Sequence, residues 1–248
     1  MELINTKSFE LAIFTRGDKY SSRLAILIPG RLDTKDYANF VSHAEYLAGK
    51  GFFVVAFDPP GTWESPGGVK LFNTTNYIQA TNELVEYFGN KPTLLLGHSR
   101  GAATAILVAE SNSHVIGVVS VMANFGTPTA PSQEDIKRGY KNEHRDLPPG
   151  TSVTSTQKEF QLPLSYWEDG KQYSAGQALK KFTKPKLIIY GTEDEFVSPF
   201  AIKKLYETIP DPKMIKEISS THDYRRHPNT FKEVNKALGQ FLDNYIAN

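Results

Sequence analysis

The feature that most constrains this chain is a passage in which an apolar run, a glycine-framed turn and a small-residue run follow one another without a spacer. They are Thr93-Leu94-Leu95-Leu96, then Gly97-His98-Ser99-Arg100-Gly101, then Ala102-Ala103-Thr104-Ala105-Ile106. The Gly-x-Ser-x-Gly pentapeptide is weak by itself, since at ordinary Gly and Ser frequencies a chain of this length contains one by chance about one time in ten. Its setting carries the weight. A buried strand that ends in a sharp turn and opens directly into a helix lifts the central serine above the sheet. Glycines two residues either side leave room where side chains would collide. The helix opening after Ser99 aims backbone N–H groups at any negative charge forming beside it.

Around this passage the chain alternates. Apolar runs at Leu24 to Ile28, Phe52 to Phe57, Val115 to Val121 and Lys186 to Tyr190 read as buried strands, and Met214 to Ile218 as a more amphipathic one. Helical patterns fall between them at Asp36 to Lys50, Thr75 to Phe88, Arg100 to Glu110, Pro199 to Ile209 and Asn229 to Ile246. Strands alternating with helices predict an α/β fold with a doubly wound, mostly parallel sheet. Phe9 to Phe14 reads as an antiparallel edge strand. At 248 residues one domain, 1–248, accommodates all of this. Residues 124–182 break the alternation, being rich in Pro, Gly, Ser, Thr and charge, with helical pattern only at Glu134 to Tyr140 and Gln177 to Lys181. A structureless loop that long is rare inside a domain, so the tract is expected to be an inserted cap or lid.

Composition removes whole classes of chemistry. With no cysteine there is no disulfide, thiolate metal site or cysteine nucleophile. Twenty-eight basic residues against 27 acidic ones, without long blocks, give no nucleic-acid footprint. The densest basic run, Lys180 to Lys186, reads as a solvated helix end. No apolar run approaches the ~18 residues of a membrane span, and Met1 to Lys7 lacks the pattern of a signal peptide. A soluble, cytoplasmic protein is expected.

A serine hydroxyl becomes an effective nucleophile only when a base takes its proton, and the base needs a carboxylate to fix its tautomer. Downstream of Lys186 to Tyr190 stands Gly191-Thr192-Glu193-Asp194-Glu195-Phe196-Val197-Ser198-Pro199, and after the last strand Ser219-Ser220-Thr221-His222-Asp223-Tyr224. On spacing alone, Glu193, Glu195 and Asp223 compete with Asp194. His98 is too close to Ser99 along the chain to be its base and is expected to brace the turn or line the pocket. His43, His114, His144 and His227 read as structural.

In this order the segments resemble the α/β-hydrolase superfamily over nearly the whole chain. Gly191-Thr192-Glu193-Asp194 with Val197 and Pro199 is similar to its acid-bearing loop, and His222-Asp223 to its histidine loop. Pro29-Gly30-Arg31 resembles its His-Gly oxyanion loop, and Phe57 to Ser65 its Asp-x-x-Gly-x-Gly-x-Ser run. The resemblance implies Ser99 as nucleophile, His222 as base and then acid, Asp194 as the orienting carboxylate, and the backbone N–H groups of Arg31 and Arg100 as oxyanion hole. It implies a carboxylic ester as small-molecule substrate, like those of carboxylesterases, monoacylglycerol lipases or hydroxycinnamoyl esterases, with no metal or organic cofactor. Thioesterase and peptidase chemistry use the same machinery. A non-hydrolytic enzyme or a catalytically silent binding protein are the readings from other classes. A silent homologue is expected to lack a triad member, whereas Ser99, Asp194 and His222 all stand.

Two departures bear on the pocket. Pro29 replaces the family's histidine, removing a side chain that often braces the oxyanion loop, and Thr62-Trp63 replaces the second glycine region. The guanidinium groups of Arg31 and Arg100 either recognise a carboxylate on the acyl chain or point away. Phe160, Leu162, Tyr166 and Trp167 either wall an acyl or aromatic pocket or pack the cap onto the body. The sequence does not bear on oligomeric state.

Overall fold

In the computed structural model, residues 2–126 and 130–246 are described; Pro128, part of the proline-punctuated tract, lies outside them. The unbroken apolar runs become the strands of one eight-stranded sheet. In chain order the strands are β1 (Glu2–Asn5), β2 (Glu10–Arg16), β3 (Leu24–Ile28), β4 (Phe53–Phe57), β5 (Thr93–His98) and β6 (Val115–Val121). Next come β7 (Tyr140–Asp146) and β8 (Gln157–Pro163), paired in a separate hairpin, and then β9 (Lys186–Gly191) and β10 (Lys213–Ile218). The sheet order is β1-β2-β4-β3-β5-β6-β9-β10. Every pairing from β4 to β10 is parallel, while β2 runs antiparallel to both neighbours.

The expected edge strand near Phe9 to Phe14 is antiparallel but is not the edge. Glu2–Asn5 pairs along it from Glu2 opposite Ile13 to Asn5 opposite Glu10. Only Ile4 of β1 is buried, so four residues carried no periodic signal to find.

Side chains alternate across the strands, so each contributes to two cores. Leu24, Ile26, Ile28, Val55 and Phe57 face one side, whereas Ala25, Leu27, Val54 and Ala56 face the other. The helices are α1 (Ala38–Gly49), α2 (Thr74–Tyr87), α3 (Arg100–Ser111), α4 (Gln133–Arg138), α5 (Ser165–Gly170), α6 (Ala175–Lys181), α7 (Pro199–Thr208) and α8 (Pro228–Tyr245). Helices α1 and α8 cover the second side through Phe40, Leu47, Val234 and Phe241. Helices α2, α3 and α7 cover the first through Leu84, Ile106 and Ile202. Among the described residues no helix is long and apolar enough to cross a membrane.

Between β6 and β9 the chain builds α4, the β7–β8 hairpin, α5 and α6. The helix expected at Glu134 to Tyr140 ends earlier, at Arg138, because Gly139 takes the left-handed conformation (φ 86°) and Tyr140 begins β7. The hairpin was not legible: β7 reads Tyr-Lys-Asn-Glu-His-Arg-Asp, and its inward groups are Glu143 and Asp146 rather than hydrocarbons. Helix α5, six residues long, was also missed. The insert has no separate core, since Phe160, Leu162, Tyr166, Trp167 and Leu179 join the cluster on the first side of the sheet.

Strand register brings the functional loops to one edge. Ile28 lies opposite Gly97, His98 opposite Val121, Val121 opposite Ile189, and Ile218 opposite Gly191. The segments after β3, β5, β9 and β10 therefore leave the carboxyl end of the sheet together, where open α/β sheets bind ligands.

Candidate active site

Ser99 occupies the turn between β5 and α3 with φ 53° and ψ −117°. Its N–H donates to the Val121 carbonyl (2.9 Å), fixing the turn to β6. A Cβ on Gly97 would lie 2.3 Å from the Gly101 oxygen, and one on Gly101 would lie 2.0 Å from the Ile28 oxygen and 2.2 Å from that of Pro29. Both glycines are thus required by close backbone approach. The second brings the segment after β3 against the turn that carries Ser99.

The loops after β9 and β10 meet there. Ser99 Oγ lies 2.8 Å from His222 Nε2, and His222 Nδ1 lies 2.9 and 3.1 Å from the two oxygens of Asp194. A carboxylate only accepts, so Nδ1 carries the proton and Nε2 is free to accept from the serine hydroxyl. Asp194 also accepts from the N–H groups of Phe196 (2.9 Å) and Val197 (3.0 Å). Burial works to raise its pKa, but the hydrogen bonds and the histidine outweigh it and hold the carboxyl below its ordinary value. The rival carboxylates have other partners: Glu195 accepts from the His222 backbone N–H (3.1 Å), Glu193 from the Ser219 hydroxyl (3.3 Å), and Asp223 pairs with Arg225.

His98, expected to brace the turn or line the pocket, is buried and has a bracing position. Its Nε2 donates to the His222 carbonyl (3.0 Å), and its Nδ1 lies 3.4 Å from Asp33 Oδ2. His43 is buried between Tyr224 Oη (2.9 Å) and Asn235 Oδ1 (2.6 Å), and burial lowers its pKa from 6.5 to about 4. His114, His144 and His227 are exposed.

The segment after β3 is held at each of its first four carbonyls. That of Pro29 accepts from Tyr77 Oη (2.7 Å), Gly30 from the Asp33 N–H (3.2 Å), Arg31 from Arg145 Nε and Nη2 (2.9 and 2.8 Å), and Leu32 from Trp63 Nε1 (2.8 Å). Among the described residues neither the Arg31 nor the Arg100 N–H has a hydrogen-bond partner. The Arg31 guanidinium turns to the insert, 3.2 Å from Glu143 Oε1. That of Arg100 lies 5.8 Å from the centre of the Tyr166 ring.

Asp33, Arg145, Glu143 and Asp146 were not singled out by sequence reasoning. Burial pushes the Asp33 carboxyl up, yet His98, Arg225 and Arg145 together hold it well below the usual carboxylate range. Asp146 accepts from Arg226 (2.9 Å) and Arg225 (3.3 Å), tying the hairpin to the turn after His222. For Asp33 the available signal was its place two positions after Arg31, in the segment that resembles an oxyanion loop. Lys35, also missed, is buried with its ammonium among Asp36 (2.6 Å), Glu64 (2.5 Å) and Asp58 (3.1 Å). These three carboxylates are close enough together to hold a metal ion, but the chain supplies that charge itself.

Of the candidate pocket residues, Phe160, Leu162, Tyr166 and Trp167 are all buried. Tyr166 stacks on Phe72 (5.5 Å between ring centres) and Phe160 packs edge-on to Trp63 (5.8 Å), contacts that join the segment between β6 and β9 to the rest of the fold. A cavity of about 330 Å³ lies between α6 and α7, lined by Phe125, Gln177, Lys180, Val197, Ile202 and Leu205 among others. The basic run expected to be a solvated helix end is only partly so. Lys180 and Lys181 are exposed, but Lys184 donates to the Ser113 and Val115 carbonyls and Lys186 is buried, donating to that of Pro210.

Residues 26–145 match the family model described as alpha/beta hydrolase fold. Over 130 residues the chain is 32% identical to a serine hydrolase-like protein of Dictyostelium discoideum, a stretch that is 52% of this chain and 35% of that protein. The chain thus spans about a third of the length of this curated relative. Among solved structures it is similar to Est1E from Butyrivibrio proteoclasticus with ferulic acid bound (TM-score 0.78, 18% identity, 100% of both chains). It is also similar to the monoacylglycerol lipase of Paleococcus ferrophilus (TM-score 0.72, 21% identity, 94% of this chain and 98% of that one). At these identities the likeness is one of fold. Sheet order, the sequence match across residues 26–145 and the structural likeness together identify the chain as a protein of the α/β-hydrolase fold.

Proposed function

We propose that the protein is a serine hydrolase that cleaves carboxylic esters through an acyl-enzyme on Ser99. The observation that carries this reading is the unbroken line from Ser99 Oγ through His222 to Asp194, at 2.8 and 2.9 Å. In the first half-reaction Ser99 Oγ attacks the ester carbonyl while Nε2 takes its proton, and Asp194 stabilises the imidazolium. The carbonyl oxygen, now negative, accepts from the unpartnered N–H groups of Arg31 and Arg100, each such donor being worth about a hundredfold to a thousandfold in rate. Collapse expels the alcohol, which receives the proton from Nε2. Water, deprotonated by the same nitrogen, then releases the acid and restores Ser99.

The named ligand of the Butyrivibrio structure and the named activity of the Paleococcus enzyme both support an ester of a small aromatic or fatty acid as substrate class. A fluorophosphonate probe is expected to label wild type at Ser99, and p-nitrophenyl esters are expected to turn over. Ser99→Ala and His222→Ala are expected to lose about a thousandfold or more in kcat without unfolding, and Asp194→Asn to lose less. A folded protein that neither labels nor turns over would leave the silent-scaffold reading. Ser99→Ala with wild-type activity would place the chemistry elsewhere.

A further inference from the structure

The segment between β6 and β9 reaches the loop after β3. Arg145, in the inserted hairpin, sends both Nε and Nη2 to one carbonyl, that of Arg31, at 2.9 and 2.8 Å. Two donors from one rigid planar fork converge on that oxygen and fix its position. Its peptide joins Arg31 to Leu32, and Leu32 stands at φ 59°, a conformation a branched side chain does not choose for itself. Of the other three carbonyl contacts on this loop, those from Tyr77 and Trp63 come from the body of the fold and that from the Asp33 N–H from the loop itself. The contact from Arg145 comes from the insert.

The fork is itself held. Its Nη1 donates to Glu143 Oε2 (3.1 Å) and to the His144 carbonyl (2.7 Å), and its Nε lies 3.5 Å from Asp33 Oδ1. Glu143 faces Arg31 with its other oxygen at 3.2 Å. The far oxygen of Asp33 reaches His98, which donates to the backbone carbonyl of His222. One chain of contacts therefore runs from β7 to the loop carrying the Arg31 N–H and on to the loop carrying the base.

We propose that Arg145 is a positioning residue for the hydrolytic reaction: its hold on the Arg31 carbonyl fixes the peptide after Arg31, the Asp33 N–H bond to the Gly30 carbonyl fixes the peptide before it, and between them the Arg31 N–H is aimed at the developing oxyanion. This rests on the serine-hydrolase reading. Because the loop matters most when the oxyanion forms, losing the brace lowers kcat and leaves ground-state binding nearly untouched.

The test compares full-length wild type, Arg145→Lys and Arg145→Gln. The readouts are p-nitrophenyl ester kinetics, inhibition by a trifluoromethyl ketone carrying the same acyl chain, and thermal unfolding. The ketone forms a tetrahedral oxyanion on the serine and so reads the hole directly. Expected are a kcat lowered about tenfold to a hundredfold in Arg145→Gln, KM changed less than about threefold, inhibitor affinity falling in step with kcat/KM, and Arg145→Lys, which keeps charge and one donor, in between. If Arg145→Gln does not fold, Arg145→Lys carries the same comparison. Wild-type kcat and inhibitor affinity in a folded variant would overturn the proposal, as would a kcat loss with unchanged inhibitor affinity. Failure of the wild type to label or turn over would instead overturn the serine-hydrolase reading and this one with it.

Discussion

Ser99 holds a backbone conformation (φ 53°, ψ −117°) that costs a non-glycine residue about 1–3 kcal/mol. The structure sustains it with the N–H bond to Val121, the register of β5 between β3 and β6, and two glycines that let three backbone segments touch. Ser99→Gly releases that strain, while Ser99→Ala keeps it. Even after the extra chain entropy of glycine, about 0.4–1 kcal/mol, Ser99→Gly is expected to be more stable than Ser99→Ala by about 1 kcal/mol, both being inactive. Urea unfolding of the two variants checks this, and a more stable alanine variant would show the turn to be unstrained. At this scale much of the candidate site was legible, because Ser99, Asp194 and His222 each sit in a short segment of recognisable order. Arg145, Asp33 and Asp146 were not, since a charged residue in a polar strand or loop has no periodicity to set it apart until its partner, distant along the chain, is known.

Between elements, His43 of α1 ties that helix to Asn235 of α8 and to Tyr224 in the turn after His222. Burial keeps its imidazole neutral, with the pKa lowered from 6.5 to about 4. The unfolded chain then binds a proton between those values that the folded protein refuses. Stability is full above about pH 6.5, declines as pH falls toward 4, and gains no further loss from this group below that. The span is worth about 3 kcal/mol at ~1.4 kcal/mol per pH unit. Chemical denaturation at pH 7, 5.5 and 4.5 is expected to show the decline, and His43→Gln to flatten it. An equal slope in that variant would assign the loss to other groups. Elements were legible where both sides of a strand are covered, as in β3 and β4, since continuous hydrocarbon is visible in sequence. They were hidden where pairing is stabilised by backbone hydrogen bonds and charge, as in β1 and β7.

For the molecule as a whole, the insert shares the core of the body. Phe160 is 6% exposed and packs on Trp63, whose indole N–H holds the Leu32 carbonyl. Phe160→Ala is expected to cost about 3–5 kcal/mol, a large part of the ~5–15 kcal/mol typical of a folded domain. It is also expected to lower kcat by loosening the oxyanion loop; stability kept with an altered acyl-chain profile would make Phe160 a pocket wall instead. The sequence by itself determined the alternating strands and helices, the turn that raises Ser99, and the order in which Asp194 and His222 follow it. These depend on local periodicity and on short segments in which each residue constrains its neighbours. Tertiary structure alone decided that His98 reaches His222, that the Arg31 guanidinium turns to Glu143, and that Arg145 grips the Arg31 carbonyl. Such contacts join charges from distant segments, and their strength comes from burial and exact distance, neither of which exists until the chain has folded.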